Sequence, residues 1–206
     1  MRERTRRLLL RAARRGLHTL HTPHTATRPS SPSLSSGERR EGVGGRVRSR
    51  LLLIRPDHLG DVLLLTPALR ALRRNWPEAE ITVTVDPGST PALARNRDLD
   101  ALIPFPFPGI ARAPAGGPLT PYVTLLQAAR DLRARLRPFD AAIVLRADHW
   151  WGAALAATAG IPRRFGFAHP DTAPFLTDAL PLASRRHAAR GNLALLDAVA
   201  AAAGRE

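Results

Sequence analysis

One stretch of the sequence, between residues 50 and 85, constrains the fold more than any other. Residues 51–54 are four consecutive large apolar residues, a pattern typical of a strand buried on both faces of a parallel sheet. The spacing of apolar residues over 61–76 predicts an amphipathic helix, which Thr66-Pro67 either caps or kinks. Residues 80–85 alternate and are rich in β-branched side chains, which predicts a second strand. The three elements form a β-α-β unit, long enough for a right-handed crossover between parallel strands.

The alternation of helices and strands continues after this unit. We predict further helices at 89–96, 122–137, 149–159 and 188–203, and further strands at 102–103, 140–145 and 163–168. The stretch 104–121 is rich in Pro and Gly and is predicted to be a loop. This order of elements predicts an α/β fold, specifically a Rossmann-like, doubly wound and mainly parallel sheet.

The N-terminal 48 residues differ in composition from the rest of the chain. Residues 1–50 contain 13 Arg and 3 Glu, so most of the formal net charge of +14 lies in this part. The stretch 21–45 is rich in Ser, Thr, Pro and Gly, and such a composition buries too little apolar surface to order the chain. We therefore predict that residues 1–48 are a disordered Arg/Ser/Pro-rich extension and that 49–206 are the folded domain. An Arg- and Ser-rich start also resembles an organelle transit peptide.

Composition excludes several classes of protein. The sequence contains no Cys, which excludes disulfides, a thiol nucleophile and a Cys-based zinc site. Aromatic residues are only 5% of the chain, too few for a platform on which nucleic-acid bases stack. The charge is concentrated in the extension, so we expect no specific nucleic-acid partner. We also expect no metal site, because the histidines lack the spacing of metal ligands.

Ligands of doubly wound sheets bind outside the carboxyl ends of the strands. Three segments follow predicted strands there, namely 55–61, 86–89 and 146–149. In the first, Gly60 permits a close backbone approach, and Asp61 stands where the helix begins, whose free N–H groups favour anions. The segment is neither a dinucleotide-binding glycine motif nor a P-loop.

Each candidate side chain has a functional and a structural interpretation. Asp61 is either a general base or the residue that caps the helix. His58 either binds a polar ligand or is an exposed loop histidine. Asp148 and His149 either position a ligand or begin a helix. The pair Trp150-Trp151 is better explained as core than as a surface on which sugars stack.

The sequence over 50–86 resembles the N-terminal signature of glycosyltransferase family 9, the heptosyltransferase family, in which a strand leads into a Gly-Asp loop and then a TPALRALR-like helix. Shorter agreements follow at 97–100, 139–145, 160–166 and 186–199. The resemblance implies one half of a GT-B arrangement, in which an N-terminal Rossmann-like domain receives the acceptor and a C-terminal one holds the nucleotide-sugar donor. It also implies that Asp61, in the Gly60-Asp61 pair, deprotonates the acceptor hydroxyl in an inverting reaction without metal or cofactor.

The candidate acceptor-binding residues are His58, Gly60, Asp57, Arg146, Asp148 and His149. By the same resemblance we expect the C-terminal donor domain to be absent from this chain, which ends at Glu206 where the linker between the two domains would begin, and we expect the chain to be inactive without that half. We therefore expect this chain to be the acceptor-side half of a transferase that adds a sugar such as heptose to a cell-surface glycan or lipopolysaccharide-type acceptor. The alternative is a catalytically silent binding module or truncated remnant. Expected partners are a glycan or glycolipid, a C-terminal donor-domain chain, and an anionic membrane surface bound by the basic extension. A cytoplasmic location follows, with peripheral attachment to the inner face of the plasma membrane.

Overall fold

The fold is known from a computed structural model, which describes residues 49–110, 117, 119–135, 138–181 and 187–203. Within these ranges the strands are β1 (Arg50–Arg55), β2 (Glu80–Val85), β3 (Ala101–Pro104), β4 (Ala141–Val144), β5 (Arg163–Phe167) and β6 (Asp178–Leu180). They form one sheet of order β3-β2-β1-β4-β5-β6, and every pairing between them is parallel. The predicted Rossmann-like α/β fold is confirmed. The predicted extension 1–48 and the end of the helix predicted at 122–137 lie outside the described residues.

The helices are α1 (Leu59–Leu63), α2 (Thr66–Asn75), α3 (Thr120–Arg135), α4 (Trp150–Thr158) and α5 (Ala188–Ala203), with 3₁₀ turns at Pro87–Ala92 and Ala173–Phe175. Within the described residues α2 packs beside α5, and α3 packs beside α4. Strand β1 shows that the two pairs cover opposite faces of the sheet. Successive side chains of a strand point to opposite faces of its sheet. Leu51 and Leu53 of β1 belong to the core formed with α2 and α5, whereas Ile54 contacts α4 on the other face.

Strand β1 lies at the centre of the sheet and is buried, as its apolar run predicts. Leu53 pairs with Val83 of β2 on one side and with Ile143 of β4 on the other. All six residues of β1 are buried. The strand order reverses between β1 and β4, and the crevice at such a switch point is where doubly wound sheets bind ligands.

The single helix predicted at 61–76 is wrong, because the structure divides this stretch into α1 and α2 with a turn at Leu64 and Leu65. Pro67 lies in the first turn of α2. Proline has no N–H, and its ring collides with the carbonyl of a preceding helical turn, so a helix begins there more readily than it continues. Because α1 begins at Leu59, Asp61 lies in its first turn rather than at its entrance.

Two further elements differ from the prediction. The helix predicted at 89–96 is a 3₁₀ turn at Pro87–Ala92 that contains Pro91, which removes a backbone donor an α-helix would need. Strand β6 (Asp178–Leu180) was not predicted, because a strand of three residues offers too little alternation to identify. Among the residues that the structure describes it pairs only with β5, and it therefore forms one edge of the sheet.

Gly152, in the first turn of α4, is the glycine that allows this helix to approach β1. A Cβ atom at this position would lie 2.9 Å from Cγ2 of Ile54, which is fully buried, and 3.2 Å from Nδ1 of His149. We expect Gly152→Ala to lower the free energy of unfolding by about 1–3 kcal/mol, because overpacking forces core side chains to shift. Urea unfolding measures the change. Gly60→Ala is the matched control, since no atom lies within 4 Å of its added Cβ, and an equal loss in both variants would contradict the steric explanation.

Candidate active site at the carboxyl edge of β1 and β4

The loops that follow β1 and β4 meet at the switch point of the sheet. Because β1 and β4 are parallel neighbours, both loops leave the same edge. Arg146 Nη1 lies 2.8 Å from Asp57 Oδ1, so the two loops are in direct contact. The structure thus brings together two of the three segments in which the sequence predicts site residues. The third contributes Ser89, whose hydroxyl donates a hydrogen bond of 2.8 Å to the carbonyl oxygen of Asp57.

Asp61 presents its carboxylate to solvent in the first turn of α1. Its side chain is exposed and makes no hydrogen bond or ion pair with any residue in the described part of the chain. The N-cap of α1 is His58, so the interpretation of Asp61 as the capping residue is wrong. The imidazole of His58 is also exposed and does not cap the helix through its side chain. The carboxylate oxygens of Asp61 are therefore available to accept a hydrogen bond or a proton, since no described residue occupies them.

Asp57 contrasts with Asp61, because its carboxylate is buried between two arginines. Oδ2 lies 2.7 Å from Arg55 Nε, and Oδ1 accepts a hydrogen bond of 2.8 Å from Arg146 Nη1. Burial lowers the pKa of the Arg55 guanidinium, and the negative charges of Asp57 and Asp61 partly offset that effect. Both carboxylate oxygens of Asp57 are therefore already paired with arginines. We assign Asp57 to the site frame, by which we mean the side chains that hold the loops in place rather than contact a ligand.

Arg146 links this buried pair to the surface. Its Nε donates a hydrogen bond of 2.8 Å to Oδ1 of Asp148, which is exposed. That hydrogen bond is the main cause that raises the pKa of Arg146 and lowers the pKa of Asp148. Charges of opposite sign thus alternate from Arg55 to Asp148 across the edge of the sheet.

His149 begins α4 and is buried beside a cluster of aromatic rings, namely Phe105, Phe107 and Trp151. Its Nδ1 accepts a hydrogen bond of 3.1 Å from the Gly152 N–H, which confirms the helix-starting interpretation. The ring lies edge-on to Phe107, with ring centroids 5.5 Å apart. Nε2 is buried and has no hydrogen bond to a described residue, although the backbone of Pro108 lies near enough to interact electrostatically. Burial, followed by the charge of Arg146, lowers the pKa of His149 to about 4.

This low pKa predicts that stability depends on pH through His149. Since the ordinary value is 6.5 and the folded value about 4, the unfolded chain binds a proton in this interval that the folded chain does not. The contribution of neutral His149 to the free energy of unfolding is fully present above about pH 6.5 and is lost as the pH falls through 4. Its full size is about 3 kcal/mol. We expect the free energy of unfolding to fall between pH 7 and pH 4 by about that much more in the wild type than in His149→Asn, which retains an N-cap acceptor. Parallel pH profiles of the two proteins would contradict this assignment.

The interpretation of the tryptophan pair as core is confirmed for Trp151 alone. It is 1% exposed, stacks on Phe105 with centroids 5.0 Å apart, and donates its indole N–H to the Pro121 carbonyl at 2.8 Å. Trp150 is half-buried against Tyr122. These contacts hold the start of α3 against the start of α4, beside the candidate site.

Two residues of the site frame were not predicted, Arg55 and Asn192. Arg55 Nη1 donates to the Leu145 carbonyl at 3.0 Å and contacts Asn192 Oδ1 at 3.3 Å. Both side chains are buried, although each stands in or beside an apolar run of sequence. The sequence did contain a signal for both residues, since each is a polar residue at a position predicted to be core. A buried polar group needs a partner, so each could have been expected to make polar contacts. Among the described residues, no group of His, Asp and Glu side chains is placed to hold a metal ion, and no helix is long and apolar enough to cross a membrane.

The fold and the site together define a Rossmann-like α/β domain with a solvent-exposed carboxylate at its switch point. A comparison with protein-family models finds no match, and neither does a comparison with curated proteins. Solved structures do match. The glycosyltransferase family 9 protein of Veillonella parvula DSM 2008 is 28% identical, with a TM-score of 0.60 over 72% of this chain and 40% of that one. The predicted resemblance to glycosyltransferase family 9 is therefore confirmed.

Two E. coli heptosyltransferases show the same fold. ADP-heptose lps heptosyltransferase II is 23% identical with a TM-score of 0.58, covering 71% of this chain and 39% of that one. Heptosyltransferase WaaC, solved with ADP, is 20% identical with a TM-score of 0.57, covering 72% and 47%. This chain thus matches less than half the length of each of these proteins.

Proposed function

We propose that this domain is the acceptor-side half of an inverting glycosyltransferase similar to those of family 9. One observation carries the proposal. Asp61 offers an exposed carboxylate at the switch point, while Asp57, four residues earlier, is buried and paired with two arginines. The Asp61 carboxylate is therefore free to accept a proton, whereas the oxygens of Asp57 are already paired with arginines. A general base must be accessible to the proton that it accepts.

In the proposed reaction Asp61 accepts the proton of an acceptor hydroxyl. The hydroxyl oxygen then forms a bond to the anomeric carbon of a nucleotide sugar. The bond from that carbon to the diphosphate oxygen breaks, and the nucleoside diphosphate leaves with the electron pair. Attack on the face opposite the leaving group inverts the configuration. The domain contributes the base and the placement of the acceptor, and the donor is a substrate rather than a cofactor.

The geometry divides the candidate acceptor-binding residues into two groups. His58 and Asp148 are exposed and can contact a glycan, and the backbone of Gly60 leaves open space beside it. Arg146 is half-buried and already bonded to two carboxylates, so we assign it to the frame together with Asp57 and His149. On this proposal, substitutions at His58 or Asp148 change the affinity for acceptor, and substitutions in the frame change stability first.

The remaining substrate and partner assignments extend the proposal. We take the donor to be a nucleotide-linked sugar such as a heptose, and the acceptor to be a cell-surface glycan or a lipopolysaccharide-type glycolipid. The reaction would take place in the cytoplasm, with the basic segment 1–48 near an anionic membrane surface. Each nearby arginine can add about 1 kcal/mol to such binding.

The proposal is tested by a transferase assay of the full chain with and without a separately supplied donor-binding domain. The assay follows transfer of labelled sugar from nucleotide donors to glycolipid acceptors. We expect turnover only when both domains are present, because the base, acceptor and donor must be held about 3–3.5 Å apart. Acceptor binding without turnover, in the presence of a donor domain that binds nucleotide sugar, would overturn the proposal.

The alternative function is a catalytically silent module that binds a glycan, a nucleotide or a partner chain. The exposed side chains of His58 and Asp148 are compatible with it, because they could bind a ligand without any proton transfer to Asp61. The two functions differ in what the neighbouring reading frame encodes. A second α/β domain with a phosphate-binding loop supports the transferase, and its absence supports the silent module.

A further inference from the structure

Asn192 is a buried polar residue on a helix that otherwise packs apolar side chains into the core. It is 1% exposed, and its neighbours on α5 include Leu195, Leu196 and Val199, all of which belong to the core. Its Oδ1 contacts Arg55 Nη1 at 3.3 Å, and its Nδ2 donates a hydrogen bond of 3.2 Å to the Leu64 carbonyl oxygen. Both ends of its amide are therefore used by residues more than 100 positions earlier in the chain.

These two contacts fall on either side of the segment that contains Asp61. Arg55 is the last residue of β1, and Leu64 follows the last residue of α1. Arg55 also contacts Asp57 at 2.7 Å and the Leu145 carbonyl at 3.0 Å. One side chain of α5 thus links the start and the end of the loop and helix that present Asp61.

Helix α1 has little means of holding its own position. It has five residues, no side-chain cap, and only Val62 buried, and a helix so short is not stable by itself. Its place must come from tertiary contacts. Leucine at position 192 would leave Arg55 Nη1 and the Leu64 carbonyl each with one partner fewer, at the two ends of the segment that carries Asp61. The polar contacts of Asn192 and Arg55 are therefore better explained by the geometry that they impose on α1.

We infer that Asn192 and Arg55 are positioning residues that fix α1, and with it the Asp61 carboxylate, at the carboxyl edge of β1. The catalytic meaning of this placement rests on the proposed function. The placement itself does not, because it can be measured without any turnover.

Amide hydrogen exchange of the full chain measures how firmly α1 is held in place. In α1 the Val62 amide donates to the His58 carbonyl, and the Leu64 amide donates to the Gly60 carbonyl, so both report local opening. The Leu53 amide, in the central strand, reports global unfolding. In Asn192→Leu we expect exchange at Val62 and Leu64 to accelerate about tenfold or more beyond any acceleration at Leu53. Asn192→Asp retains an acceptor for Arg55 but loses the donor to Leu64, and should accelerate Leu64 as well.

Thr172→Val is the matched control. Thr172 is also 1% exposed, and its hydroxyl contacts two carbonyls, those of Ala147 and Phe167, without touching α1. We expect no local acceleration in α1 in this variant. Unchanged exchange at Val62 and Leu64 in Asn192→Leu would overturn the inference. Equal acceleration at Leu53 would also overturn it, because Asn192 would then support the fold as a whole.

The assembled transferase supplies a second readout. If Asp61 is the base, Asn192→Leu should lower kcat by about 10²-fold, while the KM for the nucleotide sugar stays within about twofold, since misplacement by 1 Å has costs of that size. If exchange accelerates in α1 but no variant, Asp61→Asn included, changes turnover, the proposed function fails and the positioning role stands. A change in KM alone, with kcat retained, would overturn the link between α1 and catalysis.

Discussion

Replacing Asp61 by asparagine is expected to lower the turnover of the assembled transferase by about 10²–10⁴-fold, the usual contribution of a positioned general base. Asparagine has nearly the same shape, but its amide cannot accept the hydroxyl proton. The side chain is exposed and unpaired within the described residues, so the fold loses no contact of Asp61 when it is replaced. We therefore expect the free energy of unfolding to change by less than about 1 kcal/mol and acceptor binding to be nearly unchanged. The measurements are the rate of sugar transfer and a glycan-binding isotherm for the same preparation.

Asp131→Asn is the control for this substitution. Asp131 is also an exposed helical aspartate, but it lies on α3 rather than at the edge of β1. Its replacement changes the net charge by the same amount. Turnover should stay within about twofold of the wild type, because the reaction keeps its general base. Turnover within threefold of the wild type in Asp61→Asn would refute the catalytic assignment.

Replacing Asp57 by alanine is expected to cost about 3–5 kcal/mol of stability, the usual loss when one partner of a buried ion pair is removed. The side chains of Asp57 and Arg55 are each 7% exposed, so the substitution leaves a cation in the interior without its carboxylate. The carbonyl of Leu145 and the amide of Asn192 remain as neutral acceptors, and neither compensates a full charge. Urea unfolding at pH 7 measures the loss.

Two comparisons show whether burial of charge is the cause. Asp148→Ala removes a carboxylate whose side chain is 56% exposed, and should cost less than about 1 kcal/mol. Adding Arg55→Met to Asp57→Ala removes the stranded cation and should recover most of the loss, because apolar replacements of buried pairs are often neutral. The explanation fails if Asp57→Ala costs no more than Asp148→Ala, or if Arg55→Met adds a second, equal loss.

The helical prediction at 61–76 shows where local patterns stop being informative. Apolar spacing identified the buried face correctly, since Val62, Leu69 and Leu72 are all buried. It could not locate the break at Leu64, because a turn between two helices retains the same spacing. Pro67 was the local signal, and it was compatible with either a cap or a kink. This distinction matters for function, since it moves Asp61 from the helix entrance into the first turn of α1.

Local sequence patterns predicted the parallel α/β fold, the burial of β1 and the sheet edge at which the candidate site lies. Buried parallel strands and amphipathic helices leave local patterns of hydrophobicity, and these patterns are read within a few residues. Local patterns could not predict that Asp57 is buried while Asp61 is exposed, or that Arg55 and Asn192 contribute to the candidate site. Those outcomes depend on contacts between residues 89 to 137 positions apart, such as Asp57 with Arg146 and Arg55 with Asn192. The order of strands in the sheet creates such contacts, and no local pattern encodes it.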